Sequence, residues 1–383
     1  MVGGPQAAYH NGKTYFTYVR GDNGDACIRA YEHATGLVSR ETVMHAQLSV
    51  DVHAGPALLV RAEDRRIIAV YCASGSRRLY RWLSTDPEDV SSGTEIDVAP
   101  QIGAMEYTYP VLAQYGTGPI MVAFRSRGAV VPYHTGAHWG YALTNDGGET
   151  WSPATEFWSV PERGAYAYIQ QTSADRVDFL LLDGNPRRNT GVAVHHLYAD
   201  EHGFYRTDGR RVTNPEPWGP ESATLVHRPA NRDNAGGGGV ALNRDGHPCV
   251  AYSVSGSDRI HWARWTGSAW VDHDVAGWVG GGPVIDPLDA STIFAVQRSG
   301  SAAQLTRFTT SDDGATWDAQ GLVWSSPGQI HRPVVPCNRG GDLRLLWLQG
   351  TFDNDMRFSL GIRGFPPRSR RSAHPSPGVR WSG

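Results

Sequence analysis

Two eight-residue segments far apart in this chain of 383 residues spell one pattern. Thr144-Asn-Asp-Gly-Gly-Glu-Thr-Trp151 and Thr310-Ser-Asp-Asp-Gly-Ala-Thr-Trp317 share Thr-x-Asp-x-Gly-x-Thr-Trp. The pattern suits a turn in which the Asp side chain bonds backbone amides, the Gly takes a tight conformation, and the Trp packs between neighbouring sheets. Around these turns, short apolar or alternating runs recur, bounded by Gly, Pro, Asn and Asp. They include Lys13 to Val19, Ala57 to Arg61, Arg66 to Ala73, Ile120 to Arg125, Arg176 to Leu182, Cys249 to Val254, Thr292 to Gln297 and Leu343 to Leu348. Each is of strand length and rich in β-branched and aromatic residues, whereas no amphipathic helix of about a dozen residues can be drawn anywhere. A single flat sheet of so many strands would leave exposed edges, so the spacing predicts sheets repeated radially. At about 45–50 residues per four-stranded blade, residues 1–362 would hold seven blades. Trp265-Thr-Gly-Ser-Ala-Trp270 reads as a hairpin, and the Pro- and Arg-rich stretch 363–383 as a disordered basic tail.

Charge and cysteine usage narrow the function. Lys+Arg 35 against Asp+Glu 38 leaves −3, which argues against a nucleic-acid groove or a membrane-surface patch. Lys13 is the single lysine, so Schiff-base chemistry and a phosphate-loop lysine lack their residue. Gly236 to Gly239 and Gly280 to Gly282 follow neither the P-loop nor the dinucleotide fingerprint and read as loops. No Gly-x-Ser-x-Gly elbow or His-Glu-x-x-His motif occurs. Cys27, Cys72, Cys249 and Cys337 form no Cys-x-x-Cys pair and read as buried thiols. His195, His196, His331 and Cys337 are the candidate metal ligands, although His196 suits a strand interior. No apolar run approaches a membrane span, and the amino terminus shows no export signal. The expected location is therefore cytoplasmic or a phage particle, or secreted or periplasmic if a signal has been removed.

The paired turns resemble the Asp-box of sialidase-like propellers. Beyond them, Ser49-Val-Asp-Val-His-Ala-Gly-Pro-Ala-Leu-Leu-Val60, Arg66-Ile-Ile-Ala-Val-Tyr-Cys-Ala73 and Leu79-Tyr-Arg-Trp-Leu-Ser84 resemble the opening blades of a BNR/Asp-box repeat family. That family includes ulvan lyases and rhamnose-glucuronate lyases. Thr108-Tyr-Pro110, Val122-Ala-Phe-Arg125, Tyr168-Ile-Gln170, Asp183-Gly-Asn-Pro-Arg187 and Arg332-Pro-Val-Val-Pro336 follow in the family's order. The resemblance covers nearly everything but the tail. It implies an all-β, seven-bladed β-propeller with Asp-box turns that cleaves a glucuronate-containing polysaccharide by β-elimination.

Such a reaction removes the C5 proton beside a carboxylate and expels the O4 substituent. It needs a cation to neutralise the carboxylate and two groups to move protons, and Arg, His and Tyr meet these needs without a metal. Carried over by position, the resemblance assigns catalysis to His53, Tyr109 and Arg125, and substrate binding to Tyr168, Ser74, Asn185 and Arg187. No cofactor is then required, with room left for a structural calcium or zinc ion; the expected partner is an anionic polysaccharide and the expected state a monomer. Two positions depart from the family: Ser74 stands near where a second histidine is expected, and Asn185 where a His-Pro pair is common. Each assignment has a plainer alternative. His53 could be a turn residue, Tyr109 and Tyr168 core aromatics with bonded hydroxyls, and Arg125 half of an interblade ion pair with Asp51 or Glu106. A non-catalytic glycan-binding propeller is the rival function. A sialidase comes third, lacking its Arg-Ile-Pro motif.

Overall fold

The computed structural model describes residues 6–51, 53–104, 106–127, 137–213, 219–277, 282–299, 301–338, 343–352, 356–365 and 379–381. Its strands pair antiparallel into six four-stranded sheets and one of five strands, each built from chain-consecutive strands. We number these sheets 1 to 7 along the chain: 6–45, 57–97, 108–159, 166–227, 234–277, 284–326 and 329–381. The second strands of sheets 2, 4 and 5 are buried along nearly all of their length. Ile67–Tyr71 and Arg176–Leu182 are almost wholly buried, because a neighbour in the sheet covers each edge and an adjoining sheet covers each face. Clusters of buried side chains bridge one sheet to the next: Ile68, Val70 and Leu83 of sheet 2 pack with Val122, Phe124 and Ala142 of sheet 3.

The ring closes between the two ends of the chain. The Tyr9 amide donates to the Cys337 carbonyl at 2.8 Å, the Cys337 amide donates to Ala7 at 3.0 Å, and Ala7 and Phe16 pack on Val334 and Leu346. The architecture is an all-β propeller. Helix is confined, among the described residues, to Ala99–Ile102 and a 3-10 turn at Pro220–Ser222, and no helix there is long and apolar enough to cross a membrane.

Both Thr-x-Asp-x-Gly-x-Thr-Trp segments join the third strand of a sheet to its fourth, in sheets 3 and 6. In the first, Asp146 Oδ1 accepts from the Thr150 amide at 2.9 Å and from the Thr144 hydroxyl at 2.7 Å, while Oδ2 accepts from the Thr150 hydroxyl at 2.5 Å. In the second, Asp312 accepts from the Thr316 amide at 2.8 Å, the Thr310 hydroxyl at 2.9 Å and the Thr316 hydroxyl at 2.6 Å. Gly148 (φ 100°) and Gly314 (φ 93°) are left-handed and press on the preceding sheet. A Cβ there would lie 2.7 Å from Ile68 and 2.4 Å from Trp262. Trp265 and Trp270 face each other across a hairpin.

Two expectations need correction. Gly236 to Gly239 are not a loop but part of the strand Asn234–Leu242, the first of sheet 5. They are glycine because there is no room for Cβ: at Gly237 it would lie 2.0 Å from the Tyr168 ring, and at Gly238 1.6 Å from the Ala251 carbonyl. Gly280 and Gly281 lie outside the described residues. The stretch from 363 onward is not uniformly structureless either. Residues 363–365 end the strand Met356–Phe365, and Val379–Trp381 pairs with that strand as the fourth of sheet 7. Hydrogen bonding to an available sheet edge outweighs the local Pro and Arg composition at these points. Residues 366–378 lie outside the described set.

Candidate active site

In an up-and-down sheet, the entry of the first strand and the exit of the second lie at one end. Sheets 2, 3 and 4 meet at that end around a cavity of about 690 Å3. Its wall includes His53 and Ser74, which flank the first two strands of sheet 2; Tyr109 and Arg125, which begin and end the corresponding strands of sheet 3; and Asn185 and Arg187 beyond the second strand of sheet 4. Six of the seven nominated residues thus converge. Tyr168 is not among the residues that line the cavity; its ring fills the space left by Gly237.

Arg125 is 8% exposed, and among the described residues no carboxylate lies within ion-pair distance of it. The interblade ion pair with Asp51 or Glu106 is therefore not formed. Its guanidinium carbon sits 4.4 Å above the Tyr166 ring, Nη2 donates to the Gly164 carbonyl at 3.3 Å, and the buried Nε has no hydrogen-bond partner. A guanidinium held by an aromatic face and one carbonyl keeps donors in reserve for an anion.

Asp51 is turned to His53 instead. Its Oδ1 accepts from the His53 amide at 2.9 Å and meets Nδ1 of the ring in a short contact. That arrangement fixes the imidazole through Nδ1, so Nε2 is the ring nitrogen that Asp51 does not engage. The His53 ring centroid is 5.2 Å from that of Tyr109, which is also 6.1 Å from Tyr166 and stacks on Trp139 at 6.5 Å.

Tyr109 carries backbone strain. Its φ is 57°, immediately before Pro110, and the pairing register slips opposite it between Ala123 and Arg125. A non-glycine residue rarely adopts this conformation, and a bulge of this kind re-aims a side chain. Burial lifts the Tyr109 hydroxyl well above the usual phenol range, and Tyr166 adds to the effect; Arg332 and Arg125 oppose it. Tyr168 is raised to about 12, chiefly by burial and then by Tyr166, against the pull of Arg332, Arg125 and Arg187.

Three contributors were not nominated from the sequence, although Arg332 opens one of the quoted motifs. Tyr166 is the platform under Arg125. Arg163, whose Nε donates to the Asp183 carbonyl at 2.7 Å, ties down the loop bearing Asn185 and Arg187. Arg332 repeats the Tyr109 device: φ is 50°, the next residue is Pro333, and the register slips between His331 and Val334. Burial pushes its guanidinium below the ordinary value, while Tyr109, Tyr168 and Asp51 favour its charge and Arg187 opposes it. The available signal was the shared order of one large polar residue and a proline at the start of a first strand.

The nominated metal ligands do not assemble. His196 is buried between Asp178 at 2.9 Å and Thr207 at 2.9 Å, as a strand residue, and His331 lies 2.7 Å from Gln329. His195 lies 3.6 Å from Asp183, and Cys337 sits at the ring closure. Cys27, Cys72 and Cys249 are buried free thiols.

No curated protein matches the chain. Among solved structures it is similar to a PL25 polysaccharide lyase, an ulvan lyase bound to -[GlcA(1-4)Rha3S]-. The identity is 18%, the TM-score 0.72, and 92% of each chain is covered. It is also similar to the polysaccharide lyase Uly1, at 14% identity and TM-score 0.64 over 95% of this chain and 90% of that one. A GH93 α-L-arabinofuranosidase of Fusarium graminearum follows at 11% identity and TM-score 0.50, over 82% and 93%. These likenesses show the propeller fold. Residues 13–278, more than half of the chain, match the model of the BNR repeat-containing family, and the protein belongs to that family.

Proposed function

We propose that this β-propeller is a polysaccharide lyase cleaving a glucuronate-containing, rhamnose-linked polysaccharide by β-elimination. The observation that carries the reading is Arg125: a buried cation without a carboxylate, beside a histidine and a strained tyrosine in one cavity. The uronate carboxylate would take the reserve donors of Arg125, so that charge developing at C5 spreads into a neutralised carboxylate. His53, oriented through Nδ1 by Asp51, would accept the C5 proton at Nε2. Tyr109, kept neutral by burial, would return a proton to the departing O4. The solved ulvan lyases support this reading through their similar fold. Among the described residues, the carboxylates lining the cavity are Asp51 and Glu162, and Asp51 is engaged by His53, an arrangement that suits paired free carboxylates of glycoside hydrolysis less well.

Ser74, where the family resemblance expects a second histidine, favours the rival reading of a glycan-binding propeller without turnover. Incubation with a panel of glucuronate polysaccharides, following absorbance near ~235 nm, separates the two, because elimination leaves a C4=C5 double bond conjugated to the carboxylate. Growth of absorbance supports the lyase. Binding without it across the panel supports the rival.

A further inference from the structure

A second cluster of chemically capable side chains lies apart from the residues of the cavity, between sheets 4 and 5. His227 ends the strand Thr224–His227 of sheet 4, His261 lies in Arg259–Trp265 of sheet 5, and Asp272 in Trp270–Gly277 of the same sheet. His227 Nδ1 is 3.3 Å from Asp272 Oδ2, and His261 Nδ1 is 2.9 Å from the same oxygen. One donor atom from each residue falls within 4.8 Å of the others, the one such trio of His, Cys, Asp or Glu found among the described residues. We propose that His227, His261 and Asp272 form a zinc site that staples sheet 4 to sheet 5.

Three features support the assignment. The first is spacing. Ligands about 2.0–2.1 Å from a tetrahedral zinc lie roughly 3.3–3.4 Å from one another, so closing around an ion requires only small movements of these side chains. The second is orientation: the Tyr252 hydroxyl donates to the other carboxylate oxygen, Oδ1, at 2.6 Å, and leaves Oδ2 toward the imidazoles. An outer hydrogen bond of this kind fixes a ligating carboxylate. The third is donor chemistry. Two imidazoles and one carboxylate select a borderline divalent ion such as zinc over calcium or magnesium, which take oxygen ligands. The side chains remain 25%, 15% and 21% exposed for His227, His261 and Asp272, leaving a solvent-facing fourth position for water.

The ion's role follows from connectivity. The strand bearing His227 is the fifth of its sheet, joined through the strand Val194–Asp200 and outside the four-strand path. A metal bond across the gap would tie this added strand to the next blade. Without metal, Asp272 would simply accept hydrogen bonds from both rings, and that is the competing account the experiment must defeat.

The test uses the untagged full chain, stripped with chelator, incubated with zinc and desalted. Expected results are about one zinc per chain by mass spectrometry of the metal, a melting midpoint raised by several degrees on zinc addition, and no such rise with calcium. Both zinc retention and the rise should vanish in Asp272→Asn and His227→Gln. Cobalt loading of the unaltered chain should produce the strong visible absorption of a tetrahedral site, a readout that needs no variant to fold. The proposal is overturned if the unaltered chain retains only trace zinc and gives no such cobalt spectrum, or if both variants retain zinc as well as the parent.

Discussion

The two ends of sheet 3 are built on opposite principles. At one end, the turn Thr144 to Trp151 satisfies its own polar groups: Asp146 accepts from two amides and two hydroxyls, and Trp151 Nε1 donates to the Gly148 carbonyl at 3.2 Å. Neighbouring arginines finish the task, Arg61 bonding the Gly147 carbonyl at 3.0 Å and the 1%-exposed Arg81 the Gly148 carbonyl at 3.0 Å. At the other end, Tyr109 is strained and Arg125 keeps an unpartnered buried Nε. Strain and an unspent donor are each costly, so their coincidence at a cavity points to use by a ligand, whereas a saturated turn serves to hold strands together. Substitutions at the two ends should therefore separate turnover from stability.

The largest effect is expected at the cavity. Arg125→Lys replaces a planar fork by a point charge and should lower kcat on the order of 10²-fold or more on a cleaved polysaccharide, with little change in melting midpoint. His53→Ala and Tyr109→Phe should behave alike in steady-state assays. Equal losses of stability and activity in all three would erase the contrast between the two ends.

Next comes the turn. Asp146→Ala removes an acceptor of four hydrogen bonds and should cost about 1–3 kcal/mol in denaturant unfolding while kcat stays near the parent value. Burial works against ionisation of Asp146, but the bonds from Thr150, Thr144 and Glu149 prevail and hold its carboxyl at about 2, below the ordinary 3.8. A depressed folded-state value means that this stabilisation is complete above the unfolded value and is lost as pH falls from about 4 towards 2. Asp146→Asn should therefore flatten the fall in stability across that window, as measured by acid unfolding.

The smallest effect sharpens the comparison between the two turns. The second lacks a bond from the Ala315 amide to the Asp312 side chain, and its Trp317 Nε1 has no partner. Asp312→Ala should cost less than Asp146→Ala in the same unfolding assay.

What the sequence reveals follows burial. The named apolar runs fall on the second strand of each of the seven sheets, with Ala57–Val60 beside one of them, because these strands are covered on both faces and keep few polar residues. Fourth strands such as Gly93–Asp97 and Asp318–Ser326 are largely exposed and carry no alternation that marks them. The glycines of Asn234–Leu242 looked like a loop because crowding by Tyr168 and Ala251 is a tertiary fact that composition does not encode. At the site, residues carried by the family's motifs converge. Tyr166 and Arg332 were missed because their importance lies in what they face: a guanidinium in one case, and a pair of tyrosines from distant sheets in the other.

The central claim is that Arg125 is reserved for a uronate carboxylate whose C5 proton is removed. The most direct measurement is absorbance near ~235 nm during incubation of the parent and Arg125→Lys with a rhamnose-linked glucuronate polysaccharide. The account predicts steady growth of the unsaturated product with the parent and a rate on the order of 10²-fold lower with the variant, both proteins melting alike. Equal rates from the two proteins, or no unsaturated product from the parent on any glucuronate polysaccharide that it binds, would contradict it.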